Sequence, residues 1–444
     1  MRKYRYGSSY SSKPKNWLRN ILLIILISIP LVFLALELGL KNFAPAPWLR
    51  NLSSVTTKTY ELKLVSSEGK PLNNLPLNIF EGDLEVKTSP INGYDLVPNQ
   101  TTKFWQINAQ GFRLDKPVPL IKEKEDTRVF LVGNSTAFGT LAENNQMTLA
   151  PKLEKLLNNR LKQQVEQPNK FQPAIFPYYA DQVEKVKLLP PRIRFGNYKV
   201  ITAAVPGYTS TNELSLLVHR ISEFKPDCLI FLNGYEDLRS PSNRPARELV
   251  NLEDILSKQE QRDRTNNEQR LQNWFNSFYT VKVFRHFLSP TNPTPTSGYY
   301  QVFNANQLAT DDQELKLRVN NYNSSLRKVA NLNSAIPIIV ALQPEITGKS
   351  DLKAEELKIL KSLGKDYSDR ITKSYKALES KVLERNNNKI RVVSLYGLFN
   401  NTNEQIFLDP IHLTDAGNTQ VAKKLFNVLE ETFKIQSKPA PEPS

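Results

Sequence analysis

From residue 128 onward, short apolar runs alternate with longer segments of helical period. RVFLVG (128–133), KVITAAVPG (199–207), CLIFLNG (228–234), IPIIVALQP (336–344) and KIRVVSLYG (389–397) are short apolar runs that read as five buried strands. Between and after them, residues 145–165 carry Leu149, Leu153, Leu156, Leu157 and Leu161 on one helical stripe, and 211–224, 351–385 and 415–434 are also helical in pattern. Strands alternating with helices predict an α/β fold with a five-stranded parallel, doubly wound sheet covered on both faces.

The pattern upstream is different. Residues 1–20 hold six of the chain's excess positive charges and no acid. They precede ILLIILISIPLVFLAL, and with its flanks residues 21–40 are long enough for one transmembrane helix. The positive-inside rule leaves the basic tail 1–20 in the cytoplasm and the rest of the chain outside it, a single-pass signal anchor. Ala44-Pro45-Ala46 resembles a cleavage site, but Pro47 follows directly and favours an uncleaved anchor. Residues 43–126 read as a linker and a small β-rich lead-in, and 127–434 as the main domain. Two stretches break the main rhythm, 168–196 and 239–312. As insertions at strand ends they fit either a substrate mouth or plain surface excursions. Residues 435–444 read as a disordered tail.

Composition narrows the classes. With 40% hydrophobic and 23% charged residues the chain is not globally disordered. Its net charge of +15 comes without a basic stripe interleaved with aromatics, which argues against a nucleic-acid partner and fits either an anionic surface such as lipid or polysaccharide or a generally basic surface with no partner meaning. Cys228 is the single cysteine, so no internal disulfide forms. His219, His286 and His412 stand far apart with no cysteine cluster, so no metal site is expected.

The chemistry-bearing residues fall where strands end, the position of sites in open α/β sheets. The first strand runs into Gly133-Asn134-Ser135, where a serine at a helix start is either a cap or a nucleophile beside free N–H groups. The second runs into Pro206-Gly207, either a turn or a backbone N–H open to a ligand. Asn233-Gly234-Tyr235-Glu236-Asp237 follows the third and offers either polar donors or turn residues. Asp409-Pro410-Ile411-His412 follows the fifth. An Asp three residues before a His can accept from Nδ1–H and leave Nε2 free to take a serine proton, although a lone pair of this kind also suits a surface loop. Thr414 fits the N-cap of the last helix.

Taken together, GNSTAFG, PGYTS, NGYEDL and DPIHLTDAG, with INAQGFR upstream, resemble the blocks of the SGNH/GDSL hydrolase family over about residues 105–432. The resemblance implies a flavodoxin-like three-layer sandwich and ester hydrolysis or acyl transfer. It makes Ser135 the nucleophile, His412 the general base and Asp409 its orienting partner. An oxyanion hole would come from the Ser135 and Gly207 N–H groups, completed by the third block. Two positions depart from the pattern. Asn134 stands where an Asp is usual, and Glu236 where an Asn donates to the oxyanion. Either Asn233 supplies that donor, or Glu236 is protonated, or activity is weak. The nucleophile lacks the G-x-S-x-G setting of an α/β-hydrolase.

The sequence therefore predicts a membrane-anchored, extracytoplasmic serine esterase or acyltransferase of envelope or extracellular glycans, acetyl esters first, with no cofactor. The alternatives are a catalytically weakened binding or assembly protein of the envelope, or a lipase.

Overall fold

The computed structural model describes residues 84–244 and 303–441 apart from Pro90, Lys103 and Ser334, together with 62–65, Ser28 and Val32. The expected membrane segment 21–40 and most of the stretch 239–312 lie outside the described residues. Among the described residues no helix is long and apolar enough to cross a membrane. The chain divides into two units, residues 1–57 with 253–296 and residues 58–252 with 297–444, and the second holds the sheets and the strand ends that carry the candidate chemistry.

That unit opens with a three-stranded sheet, β1 (Leu62–Val65), β2 (Leu84–Ser89) and β3 (Gly93–Leu96), in which β2 lies between a parallel β1 and an antiparallel β3. A small antiparallel pair follows, β4 (Gln100–Thr101) with β5 (Gln106–Ile107). The main sheet is built from β6 (Asp126–Gly133), β8 (Asn197–Thr202), β9 (Cys228–Asn233), β10 (Ile338–Leu342) and β11 (Ile390–Ser394); the two-residue β7 (Arg192–Ile193) lies outside it. All four pairings are parallel, in the order β8-β6-β9-β10-β11. Counted within this sheet the order is 2-1-3-4-5, the flavodoxin-like arrangement, which places a crevice where β8 and β9 diverge on either side of β6.

Every residue of β6, β9 and β10 is buried. Successive side chains of a strand point to opposite faces, so both faces of the sheet centre are covered. Of the covering helices, α2 (Leu149–Glu166) packs on the last helix, while α3 (Ser210–His219) packs on α4 (Asp312–Leu332) and α4 on α5 (Ala354–Leu383). In α2 the stripe Leu149, Leu153, Leu157 and Leu161 is buried as the spacing predicts. Helix α4 begins in a stretch read as insertion. Asp311 caps it by accepting from the Glu314 N–H, and Leu315, Val319, Tyr322, Leu326 and Val329 form its buried face.

The insertion 168–196 does not shape a substrate mouth at the serine. It sits at the amino ends of the strands: β7 pairs antiparallel with β12 (Lys434–Ile435), and Asn197 N–H donates to the Glu125 carbonyl at the start of β6. The tail residues 435–438, expected to be disordered, are held there. Lys438 N–H donates to the Ala174 carbonyl, the Lys438 carbonyl accepts in turn from Phe176 N–H, and Ser437 Oγ donates to the Pro173 carbonyl. The reason is strand addition, which satisfies backbone groups the tail would otherwise leave to water.

Candidate active site

The turn after β6 carries Ser135 at the first position of the short helix α1 (Ser135–Phe138). Four residues cannot sustain a helix by propensity, so its ends are held from outside. At the start, Asn134 rather than Ser135 is the cap, its Oδ1 accepting from the Thr136 N–H at 3.1 Å. The serine hydroxyl is thereby released from the capping role. At the other end, the Arg113 guanidinium donates to the carbonyls of Phe138 (2.9 Å) and Gly139 (2.6 Å) and lies over the Phe138 ring. Beneath the turn, a Cβ on Gly133 would come within 2.2 Å of the Leu232 carbonyl of β9, so only glycine lets α1 sit so close to the sheet.

Asp409 and His412 share one loop. Asp409 is fully buried and His412 is 4% exposed. His412 Nδ1 donates to Asp409 Oδ2 at 2.5 Å, while Asp409 Oδ1 accepts from the N–H groups of Ile411 (3.0 Å) and His412 (2.8 Å). Burial alone would raise the Asp409 carboxyl. The His412 ring and the two N–H donors outweigh it and hold the group below its ordinary value. A narrow hairpin frames this loop, closed by the Phe407–Leu413 bridge and by Leu408 N–H donating to the His412 carbonyl. Thr414 caps the last helix, α6 (Asp415–Phe433), as the sequence predicts.

A buried polar chain ties the serine turn to the histidine loop. Asn134 Nδ2 donates to Gln343 Oε1 (2.6 Å), Gln343 Nε2 to Thr136 Oγ1 (2.8 Å), and Thr136 Oγ1 to the Ile411 carbonyl (3.2 Å). Its direction is fixed at the cap, where a backbone N–H requires an oxygen at Asn134 Oδ1. An amide at position 134 thus serves a purpose a carboxylate could not, because it must donate to Gln343. The chain brings the neighbours of Ser135 and His412 into direct contact. His412 Nε2 itself is buried and has no hydrogen-bond partner among the described residues, Ser135 Oγ included. An unpartnered buried ring nitrogen is costly, and in catalytic centres without substrate such contacts are often long and tighten on binding.

Gly207, φ +79°, follows Pro206 in the turn after β8. Among the described residues neither its N–H nor that of Ser135 has a partner. The third strand end is different. Asn233, a candidate oxyanion donor, points into the core: Tyr322 donates to its Oδ1 at 2.6 Å, and its Nδ2 donates to Glu213. It is committed there and not to the serine. Both oxygens of Glu236 accept from Arg239 Nη1 (3.1 and 3.2 Å), within a guanidinium that also engages Gln307. The third block offers an ion pair where a neutral donor was sought.

Two residues of this assembly escaped the sequence, Gln343 and Thr136. Gln343 directly follows β10, and its strand-end position was the one available signal.

Buried carboxyls give the fold a pH dependence of determined sign. Burial pushes Glu345 up to about 7 against its bonds from Thr347 and Tyr367, and Asp237 up to about 7 against its bonds from Ser210. Each keeps its proton in the folded chain after the unfolded chain has lost it, so each contributes stability that fades as pH rises from about 4 to 7. Glu356 and Asp409 are held low, and their contribution is lost as pH falls below about 4. Thermal midpoints should therefore peak between about pH 4 and 6, and Glu345→Gln should flatten the decline toward pH 8. A midpoint rising from pH 5 to 8 with the same slope in both proteins would contradict this assignment.

No protein-family model matches the chain, and no curated protein sequence matches it. Among solved structures, it is similar to the acetylxylan esterase Axe2 from Geobacillus stearothermophilus, at 12% identity over 71% of this chain and 100% of that one, TM-score 0.33. It is similar to the acetyl xylan esterase AlAXEase, at 11% identity over 68% and 99%, TM-score 0.32. It is also similar to a two-domain esterase active on acetylated mannans, at 10% identity over 72% and 53%, TM-score 0.32. At this level of likeness no residue role or substrate passes from those proteins to this chain.

Proposed function

We propose that the protein is a serine-dependent acyl-ester hydrolase or acyltransferase. The observation that carries this reading is the His412 ring: buried, held through Nδ1 by Asp409, with an unpartnered Nε2 among the described residues, in a loop hydrogen-bonded through Ile411 to the turn that bears Ser135. In the reaction, Ser135 Oγ attacks the acyl carbon while His412 Nε2 takes its proton. The oxyanion forms against the Ser135 and Gly207 N–H groups. His412 then passes the proton to the departing alcohol, leaving an acyl-serine. Water, or a sugar hydroxyl in the transfer case, attacks that ester and gives its proton to His412, which returns it to Ser135 Oγ as the acyl product leaves.

The substrate class is an acetyl ester of an envelope or extracellular glycan, supported by the sequence resemblance and by a basic chain that favours anionic polymers. The N-terminal run 21–40 holds the domain to the membrane with residues beyond about 42 outside the cytoplasm, a reading supported by its length and by the charges before it. A lipase reading has no structural observation in its favour.

A catalytically weakened binding protein is favoured by one observation, the Glu236–Arg239 pair at the third strand end. Losing an oxyanion donor costs on the order of 100-fold in rate, so the enzyme reading predicts slow turnover rather than none. Acetate release from acetylated xylan, mannan and p-nitrophenyl acetate by the full-length chain separates the two. Turnover above the rate of the heat-unfolded chain supports the enzyme; none from any of the three supports the binding protein.

A further inference from the structure

Tyr94 lies in the lead-in sheet, more than one hundred residues before Gly207 in sequence, yet it reaches the catalytic end of the main sheet. It is 2% exposed, and its hydroxyl donates to the Pro206 carbonyl. A Cβ on Gly207 would fall 2.4 Å from that hydroxyl, so the phenol rests against the glycine Cα. The strand is fastened to this turn at several further points. Tyr208 OH shares its one proton between the Tyr94 carbonyl (2.5 Å) and Asp95 Oδ1 (3.1 Å), and the two tyrosine rings meet edge to face at 5.5 Å. Asn212 Nδ2 donates to the Asn92 carbonyl (3.1 Å), and Arg220 stands 3.7 Å from Asp95.

The peptide between Pro206 and Gly207 joins these facts to the chemistry. A trans peptide is planar, and its C=O and N–H point in opposite directions. A donor fixed on the Pro206 oxygen therefore sets where the Gly207 N–H points. Donation to the oxygen also polarises the amide and strengthens its N–H as a donor. Val205 to Tyr208 form a turn closed by Tyr208 N–H donating to the Val205 carbonyl at 3.2 Å, and with no side chain on Gly207 its central peptide can still flip within that turn, so the Tyr94 contact selects one of the two orientations. We propose that Tyr94 is a positioning residue of the catalytic centre, holding the Pro206–Gly207 peptide so that the Gly207 N–H faces the oxyanion. The β-rich lead-in is then part of the site and not a spacer between anchor and enzyme. Burial, with the Glu236 carboxylate nearby, raises the Tyr94 phenol above its ordinary value, so it remains a neutral donor through the physiological range. The proposal rests on Ser135 being the nucleophile for its catalytic consequence, but not for the hydrogen bond itself.

Tyr94→Phe keeps the ring and removes the donor. Pro206–Gly207 is the one Pro-Gly pair in the chain. Labelling the full-length protein with 13C-carbonyl proline and 15N-glycine thus yields a single correlation that reports both atoms of this peptide. In the variant, both the Pro206 carbonyl carbon and the Gly207 amide proton should move upfield. With an ester substrate, kcat should fall about 3- to 10-fold at unchanged KM. An unmoved correlation overturns the proposal whatever the activity, and so does an unchanged kcat alongside an active wild-type chain. A shifted correlation in a chain whose wild type hydrolyses no ester supports the Tyr94 bond and counts against Ser135 as nucleophile instead.

Discussion

His412→Ala is expected to lower ester turnover on the order of 10⁴-fold or more while the chain stays folded. Among the described residues the ring's one hydrogen bond is to Asp409, whose carboxylate keeps the Ile411 and His412 N–H donors when the ring is removed, so the proposed loss is of the base rather than of the fold. Ser135→Ala should cost as much, and the double variant little more, because nucleophile and base act as a unit. Asp409→Asn should retain the loop, since one side-chain oxygen can still accept from the Ile411 and His412 N–H groups. It would nevertheless favour the wrong imidazole tautomer, with a loss of about 10⁴-fold. Turnover and circular dichroism measured on the same samples separate chemistry from folding. A His412→Ala protein within tenfold of wild type would remove His412 from the mechanism.

The largest stability effect is expected at Glu356. Its carboxylate is fully buried, paired with Lys349 at 2.6 Å, and accepts from the backbone N–H groups of Lys353, Ile406 and Phe407 at 2.8 to 2.9 Å. The last two begin the hairpin that presents Asp409 and His412, and Lys349 also donates to the Glu404 carbonyl. Glu356→Ala strands a buried ammonium and leaves these N–H groups without an acceptor. The expected cost is about 3–5 kcal/mol, or roughly 10 °C in the thermal midpoint. Glu356→Gln keeps an acceptor for the backbone and should lose less. Replacing both partners, Lys349→Met with Glu356→Leu, should recover part of the loss, because a stranded charge costs more than an absent pair. Denaturant unfolding of the four proteins checks the order, and an alanine variant within about 0.5 kcal/mol of wild type would contradict it.

Much of the framework is legible in the chain because it is local. Strands such as CLIFLN declare themselves as short, continuous apolar runs, and Asp409 and His412 are three residues apart, so their contact follows from one turn. Helix α4 carries signals of the same local kind: Asp311 and Glu314 mark its start and Leu315, Val319 and Tyr322 its face, but a polar, proline-rich approach masks them. What is not legible is non-local. Nothing near Gln343 says that it joins Asn134 to Thr136 across more than two hundred residues. Nothing near Tyr94 points to Pro206. Asn233 illustrates the limit from the other side. Its place at a strand end suggested the site, but side chains alternate along a strand, and this one turns to Tyr322 and Glu213. The tail at 435–438 reads as disorder because its partner, 173–176, is remote in sequence.

The central claim is that Ser135 becomes covalently acylated with His412 as its base. A fluorophosphonate traps that chemistry because it reacts with an activated serine and leaves a stable adduct at the oxyanion position. The full-length chain should gain the mass of one phosphonyl group, on the peptide containing Ser135, and the gain should vanish in both Ser135→Ala and His412→Ala. A folded wild-type chain that takes up no label, or labels equally well without His412, would contradict the account.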